Sequence, residues 1–152
     1  MGLFDKLKKR KAFISLDTIR AADCGDEKAK DELNKAFNRG MTAEEHNSLR
    51  RQAYCLNANE GDPIAQYWMG FLSSMIDRDV KMTIYWYECS AKQGNTEAMK
   101  DLSFGYGEFI NTYGADYGPV PLGYDKDKEL YWLRMAADHG DKQAIDKLHK
   151  LN

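Results

Sequence analysis

A glycine followed directly by Asp or Asn occurs four times in this chain of 152 residues, at intervals of 36, 33 and 46 residues. An alanine always stands three residues before this glycine and another four residues after it, and a large aliphatic residue stands eight residues after it. Self-similarity with a period of about 30–45 residues is typical of arrays of helical repeats. The four pairs are Gly25-Asp26, Gly61-Asp62, Gly94-Asn95 and Gly140-Asp141.

Each pair has the chemistry of a turn between two helices. Glycine adopts the left-handed conformation that ends a helix, and the Asp or Asn after it accepts from free N–H groups of the next helix. The capping box from Thr42 to Glu45 opens a further helix, and no window alternates as a strand does. The sequence therefore predicts an all-α fold. The predicted helices are 15–23, 26–38, 43–59, 62–76, 80–92, 96–105, 126–138 and 141–150.

Two stretches between the glycines share a longer pattern of small, aliphatic and tryptophan residues. One contains Ala65, Met69, Gly70, Asp79, Trp86, Ala91 and Gly94, and the other Ala98, Leu102, Asp125, Lys128, Trp132, Ala136, Ala137 and Gly140. The pattern resembles the Sel1-like repeats, relatives of the tetratricopeptide arrays. An earlier unit is degenerate, with Ala53 in the tryptophan position. The resemblance implies an α-solenoid of about three to four helix-turn-helix repeats with a concave face. It also implies an adaptor or scaffold, because enzymatic members are unusual.

Charge separates a short N-terminal segment from the rest of the chain. Residues 1–12 contain five basic residues and Asp5, a net charge of +4, so the remaining 140 residues carry −6 of the total of −2. An acidic body argues against nucleic-acid binding, which usually requires a basic surface. We expect residues 1–14 to form a basic N-terminal segment and residues 15–152 a single repeat domain. We also expect a protein partner, with a basic surface as the favoured kind.

The cysteines and the hydropathy pattern predict a cytoplasmic protein. Cys24, Cys55 and Cys89 are odd in number and form no CxxC pair, which favours reduced, buried thiols over disulfides or a zinc site. No apolar run approaches the about 20 residues of a membrane span, and no signal peptide is recognisable. We expect no stable membrane insertion, although residues 1–11 leave a weak contact with an anionic membrane surface open.

No arrangement of residues in the sequence indicates catalysis. Nucleotide-binding, metalloprotease and nucleophile-elbow motifs are missing, and His46, His139 and His149 fall in different repeat units. His139 precedes the helix-ending Gly140, where a capping role is expected. The sequence predicts no catalytic residue, no metal site and no cofactor, so the chain is not expected to be an enzyme.

Aromatic residues carry the strongest indication of a binding surface. Trp86 and Trp132 occupy the same repeat position and are expected in the core, whereas Trp68 is a candidate for partner binding. The segment 105–125 lengthens the last interval by about ten residues and is rich in Tyr and Gly, as binding loops are. The alternative is a loop that seals one end of the solenoid. The candidates in this insertion are Tyr106, Phe109, Tyr113, Tyr117 and Tyr124.

These features favour a protein–protein interaction module with one dedicated partner. A short acidic repeat chain fits a bacterial toxin-neutralising (immunity) protein. Two alternatives stay open. One is a small-molecule-binding or enzymatic Sel1-like protein with a pocket under the insertion, and the other is a structural subunit that self-associates.

Overall fold

A computed structural model of the chain describes residues 14–114 and 118–151. These residues form nine α-helices and one π-helical segment, Ser73–Asp77, and contain no strand. The predicted all-α class is confirmed, and the helix bounds agree with the predicted ones to within a few residues. The helices are α1 (Leu16–Asp23), α2 (Glu27–Asn38), α3 (Ala43–Asn59), α4 (Pro63–Leu72), α5 (Val80–Ala91), α6 (Thr96–Tyr106), α7 (Glu108–Tyr113), α8 (Lys126–Asp138) and α9 (Lys142–His149).

The four Gly-Asp/Asn pairs form the same turn, as the sequence predicted. Gly61 has φ +98°, its N–H donates to the Ala58 carbonyl at 3.1 Å, and the Asp62 N–H donates to the Asn57 carbonyl at 2.9 Å. The Asp62 carboxylate then caps α4 by accepting from the Ala65 N–H at 2.7 Å. All three bonds recur at the other pairs, where φ of the glycine is +98°, +92° and +84°.

A fifth turn of this kind was not predicted. Gly40 has φ +100°, and the N–H of the next residue, Met41, donates to the Ala36 carbonyl at 3.1 Å. The capping residue comes one position later, at Thr42, so the turn lacks the Gly-Asp signature. The predicted capping box is confirmed, because Thr42 Oγ1 accepts from the Glu45 N–H at 3.1 Å and the Glu45 carboxylate accepts from the Thr42 N–H at 2.8 Å.

The chain forms two compact units that divide after Ala53. In the first unit α1 packs against α2, with Ile19 fully buried. The Arg50 guanidinium makes two bonds to the Asp23 carboxylate, at 2.9 and 2.5 Å, and both side chains are largely buried. The first unit is therefore held by a small apolar core and a bidentate ion pair.

The second unit has the larger core. Here α6 packs against α5 and α8, and α8 packs against α9. Trp86 and Trp132 are 7% and 5% exposed, so the prediction that both tryptophans lie in the core is confirmed. The buried residues that cluster together are Tyr87, Ala91, Ala98, Met99, Leu102, Tyr106, Val120, Leu122, Trp132, Leu133, Ala136 and Ala144.

The insertion is more structured than the sequence suggested. It was expected to be a loop, but residues 108–113 form the short helix α7 between Gly107 and Gly114. The Asn111 amide donates to the carbonyls of Gly105 and Gly107 at 2.9 and 2.8 Å, and its oxygen accepts from the Gly123 N–H at 2.9 Å. Glycines that break a long helix leave room for a short one between them, which is why the prediction was wrong here.

The prediction of buried cysteines is also wrong. All three are free thiols, with Cys24 and Cys55 exposed and Cys89 half-buried. Cys24 directly follows Asp23, the last residue of α1, and lies exposed in the turn. The expectations for the basic N-terminal segment concern residues 1–13, almost the whole of that segment, which lie outside the described residues. In the described part of the chain, no helix combines the length and the apolar character that crossing a membrane requires.

Candidate functional site

The structure separates the aromatic candidates of the insertion into exposed and buried ones. Phe109, Tyr113 and Tyr124 are 66%, 72% and 55% exposed. Tyr106 is 4% exposed and belongs to the core of the second unit, so its ring is not available at the surface. Tyr117 lies outside the described residues.

Three of the exposed rings lie in a row, here called the aromatic ridge (Phe104, Phe109 and Tyr113). The ring centroids of Phe104 and Phe109 are 6.5 Å apart, and those of Phe109 and Tyr113 are 5.8 Å apart. Phe109 and Tyr113 are four residues apart on α7 and therefore share one face of that helix. The sequence did not single out Phe104, since it precedes the glycines that mark the insertion.

Trp68 lies elsewhere, in a cluster of rings on α3 and α4. It is half-buried and stacks on Tyr54, with the ring planes 17° apart and the centroids 6.0 Å apart. Tyr67 and Phe71 contact it edge-on at 5.4 and 5.5 Å. These contacts give Trp68 a packing role, although the residue as a whole is only half-buried.

A cavity of about 260 Å³ lies next to the aromatic ridge. It is lined by residues of α4, the π-helical segment, α5 and α6, and by residues 119–122 of the insertion; we call it the Asp101 pocket. Phe104 both lines this pocket and is 40% exposed, so the pocket reaches the surface beside the aromatic ridge. The segment over it is anchored, since Ser74 Oγ accepts from the Val120 N–H at 3.1 Å and the Leu122 N–H donates to the Gly105 carbonyl at 3.0 Å.

Two glycines bring the walls of the pocket close together. A Cβ at Gly70 would lie 2.5 Å from Cδ1 of Tyr87, and a Cβ at Gly105 would lie 2.6 Å from Cδ1 of Leu122. Neither position accommodates a larger residue unless its neighbour moves. The absence of side chains at these positions therefore permits the close approach of the Tyr87 ring and of Leu122.

Asp101 supplies the carboxylate of this otherwise mostly apolar pocket. Burial raises the pKa of Asp101, while hydrogen bonds from the hydroxyls of Tyr87 and Tyr67 oppose that rise. Burial and the neighbouring Asp101 charge also raise the pKa of the Tyr87 hydroxyl, which therefore stays protonated and donates. The two tyrosine rings are 5.7 Å apart. The result is a carboxylate held by two phenol groups in an aromatic surrounding.

Asp101 differs from the other shielded carboxylates of the chain. Glu129 pairs with Lys126 at 3.0 Å and with Lys147 at 3.6 Å, and Asp141 pairs with Lys100 at 3.1 Å. Between residues 14 and 114 and between 118 and 151, no Lys, Arg or His forms a salt bridge with Asp101. The ammonium of the adjacent Lys100 is held by Glu97 at 2.8 Å as well as by Asp141.

Two of the three histidines, His46 and His139, have structural surroundings. His139 Nδ1 donates to the Met135 carbonyl at 2.8 Å at the end of α8, so the predicted capping role is confirmed. The ring of His46 packs edge-on against Phe37 at 5.3 Å, and burial followed by the Arg50 charge lowers its pKa. Among the described residues, no three His, Cys, Asp or Glu side chains are grouped to hold a metal ion.

Comparisons with known proteins give no match: no family model, no curated protein and no solved structure is similar to this chain. The geometry of the aromatic ridge and the Asp101 pocket is therefore the basis for the functional proposals below.

Proposed function

We propose that this chain is a protein-binding module that engages one dedicated partner through the aromatic ridge. The observation that carries the proposal is the row of exposed rings, in which Phe109 and Tyr113 are 66% and 72% exposed and contact each other. Aromatic side chains dominate the binding energy of protein interfaces because they bury a large area with few rotatable bonds. A row of solvent-facing rings, two of them on one helix, is a surface that a partner can cover.

The frame behind the aromatic ridge supports this proposal. The Asn111 amide ties α7 to the end of α6 and to the returning chain at Gly123. Val120 and Leu122 anchor the same insertion in the core. A rigid frame lowers the entropic cost of binding, because the rings are already held in place before the partner arrives. The insertion thus both closes the core and presents a surface.

We further infer that the helices stack as a Sel1-like α-solenoid of three to four repeats. The support is local: one turn geometry, with the same three hydrogen bonds, recurs at all four Gly-Asp/Asn pairs. A crystal structure tests this inference, since successive repeats of a solenoid superpose by a constant rotation. The narrower proposal of a toxin-neutralising protein rests on the size and charge of the chain alone.

The test uses the wild-type chain and two variants to capture proteins, and mass spectrometry identifies the proteins that each of the three captures. The double variant Phe109→Ala, Tyr113→Ala removes the outer rings of the aromatic ridge. Tyr85→Ala is the matched control, because Tyr85 is 54% exposed and its ring also contacts a neighbouring ring, that of Trp86. We expect one protein that the wild type and the control retain and the double variant loses.

The affinity for that protein should then fall by about 2 kcal/mol or more per ring removed, the scale of interface hot spots. Equal retention by the double variant and by the wild type would refute the aromatic ridge as the binding surface. If the retained protein is a second copy of the chain, as sedimentation equilibrium would show, the alternative of a self-associating subunit replaces this proposal. For the alternative of a small-molecule role for the chain, the Asp101 pocket is a candidate site.

A further inference from the structure

We propose that the Asp101 pocket is a binding site for an alkylammonium group, the chemical group at the end of a lysine side chain. The carboxylate of Asp101 would pair with the ammonium, and the surrounding rings would contact its alkyl chain. The ammonium would come from a lysine of the protein partner, and this part of the proposal rests on the proposed function. The binding of the cation itself rests on the pocket alone.

The charge of the pocket is the first argument. A carboxylate removed from water is costly unless a cation pairs with it. The chain satisfies this requirement at Asp23, Glu129 and Asp141 with its own Arg and Lys residues. At Asp101 the described residues provide two hydroxyl donors and no salt bridge. A ligand that brings a positive charge would gain the ion pair that the fold leaves unmade.

The lining of the pocket is the second argument. Tyr67, Phe71, Tyr87 and Phe104 contribute aromatic rings around the carboxylate. The faces of such rings attract cations, and this attraction strengthens where water is excluded. A carboxylate within a group of aromatic rings is therefore suited to an organic cation and unsuited to an anion. The walls also contain Met75 and Leu122, which suit the methylene chain behind an ammonium group.

The size of the pocket is the third argument. Its volume of about 260 Å³ lies below the about 300–1,000 Å³ of pockets for drug-sized molecules. A single lysine side chain or a small free amine is the scale of occupant that fits. The aromatic ridge begins at Phe104, a residue of the pocket wall, so a partner lying on the aromatic ridge can place one side chain in the pocket. The acidic body of the chain also favours a basic partner.

The experiment titrates small-molecule probes into protein that carries ¹³C-labelled methionine methyl groups, and NMR monitors the methyl signals. Met75 lines the pocket and reports occupancy, whereas Met82, which is 39% exposed and is not part of the lining, reports unspecific binding. The cationic probe is Nα-acetyl-lysine-N-methylamide. Its neutral counterpart is Nα-acetyl-norleucine-N-methylamide, which has the same alkyl chain without the ammonium. Pentylamine represents a free small amine.

We expect the lysine probe to shift the Met75 signal saturably and to leave Met82 unchanged. The norleucine probe should bind at least about tenfold more weakly, and Asp101→Asn should weaken lysine binding by the same factor, the equivalent of about 1.4 kcal/mol. Equal binding of the two probes, no saturable shift of Met75, or unchanged lysine affinity in Asp101→Asn would overturn the proposal. The comparison of probes on wild type is decisive even if the variant fails to fold.

Two further comparisons separate this proposal from the proposed function. The double variant Phe109→Ala, Tyr113→Ala should bind the lysine probe as wild type does, because neither ring lines the pocket. Failure of the aromatic ridge therefore does not imply failure of the pocket. A pentylamine affinity at least about tenfold above that of the capped lysine would overturn the assignment to a protein side chain and support a free amine as the ligand.

Discussion

Replacing one buried and one exposed residue of the insertion tests whether its two halves have different roles. Leu122 is 9% exposed and packs against Gly105, so Leu122→Ala should cost about 2–3 kcal/mol, the lower part of the range for buried leucines. Tyr113 is 72% exposed, so just over a quarter of its surface is covered. Since full burial of a large apolar side chain contributes about 1.5–3 kcal/mol, Tyr113→Ala should cost only about 0.4–0.8 kcal/mol.

The assay is thermal and urea unfolding of both variants, followed by far-ultraviolet circular dichroism at neutral pH. For a chain of this length, 1 kcal/mol corresponds to about 2–4 °C in Tm. Leu122→Ala should therefore lower Tm by about 4–12 °C, and Tyr113→Ala by about 1–3 °C. An equal loss in both variants would refute the division of the insertion, because Tyr113 would then seal the core. An unchanged Tm in Leu122→Ala would refute the anchoring of the segment over the pocket.

Three other perturbations have defined outcomes. Burial raises the pKa of Asp101, so its carboxylate destabilises the folded state as pH rises above about 4, the ordinary pKa of Asp. In urea unfolding, Asp101→Asn should therefore be at least as stable as wild type at neutral pH, and the difference should shrink toward pH 4. A variant that is less stable than wild type at neutral pH would contradict this expectation. In the same assay, Gly61→Ala should lower the free energy of unfolding by about 1–2 kcal/mol. The cause would be the φ of +98° alone, because a Cβ at this position meets nothing within 4 Å. An unchanged free energy of unfolding would mean that the turn relaxes. A thiol reagent should modify the exposed Cys24 and Cys55 of the folded protein faster than the half-buried Cys89, and peptide mass spectrometry measures these rates. Equal modification rates of the three thiols in the folded protein would contradict this difference in exposure.

The features that the sequence predicted are local ones. The turn at Gly61 depends on a glycine, the capping Asp62 and neighbouring backbone groups, all within a few residues of each other. Such interactions leave a recognisable pattern in the sequence, and repetition makes the pattern clearer. The core positions of Trp86 and Trp132 followed from the same periodicity, because equivalent residues of repeats have equivalent surroundings.

The candidate site could be predicted only in part, because it depends on contacts between distant residues. Exposed Phe109 and Tyr113 could be anticipated from the aromatic composition of the insertion. Asp101 could not, because nothing in its own segment distinguishes it from a solvent-facing helical Asp. Its significance comes from Tyr67 and Tyr87, which are 34 and 14 residues away in the chain.

The side chain of Asn111 has a consequence for how this protein can change. Its amide joins the start of the insertion, at Gly105 and Gly107, to the returning chain at Gly123. Because both ends are fastened to one another, exposed residues between them, unlike the core residues Val120 and Leu122, can be exchanged without moving the helices on either side. Lengthening a closed loop costs little, about 0.6 kcal/mol for each doubling. The insertion is thus a place where exposed side chains can vary while the surrounding helices remain as they are.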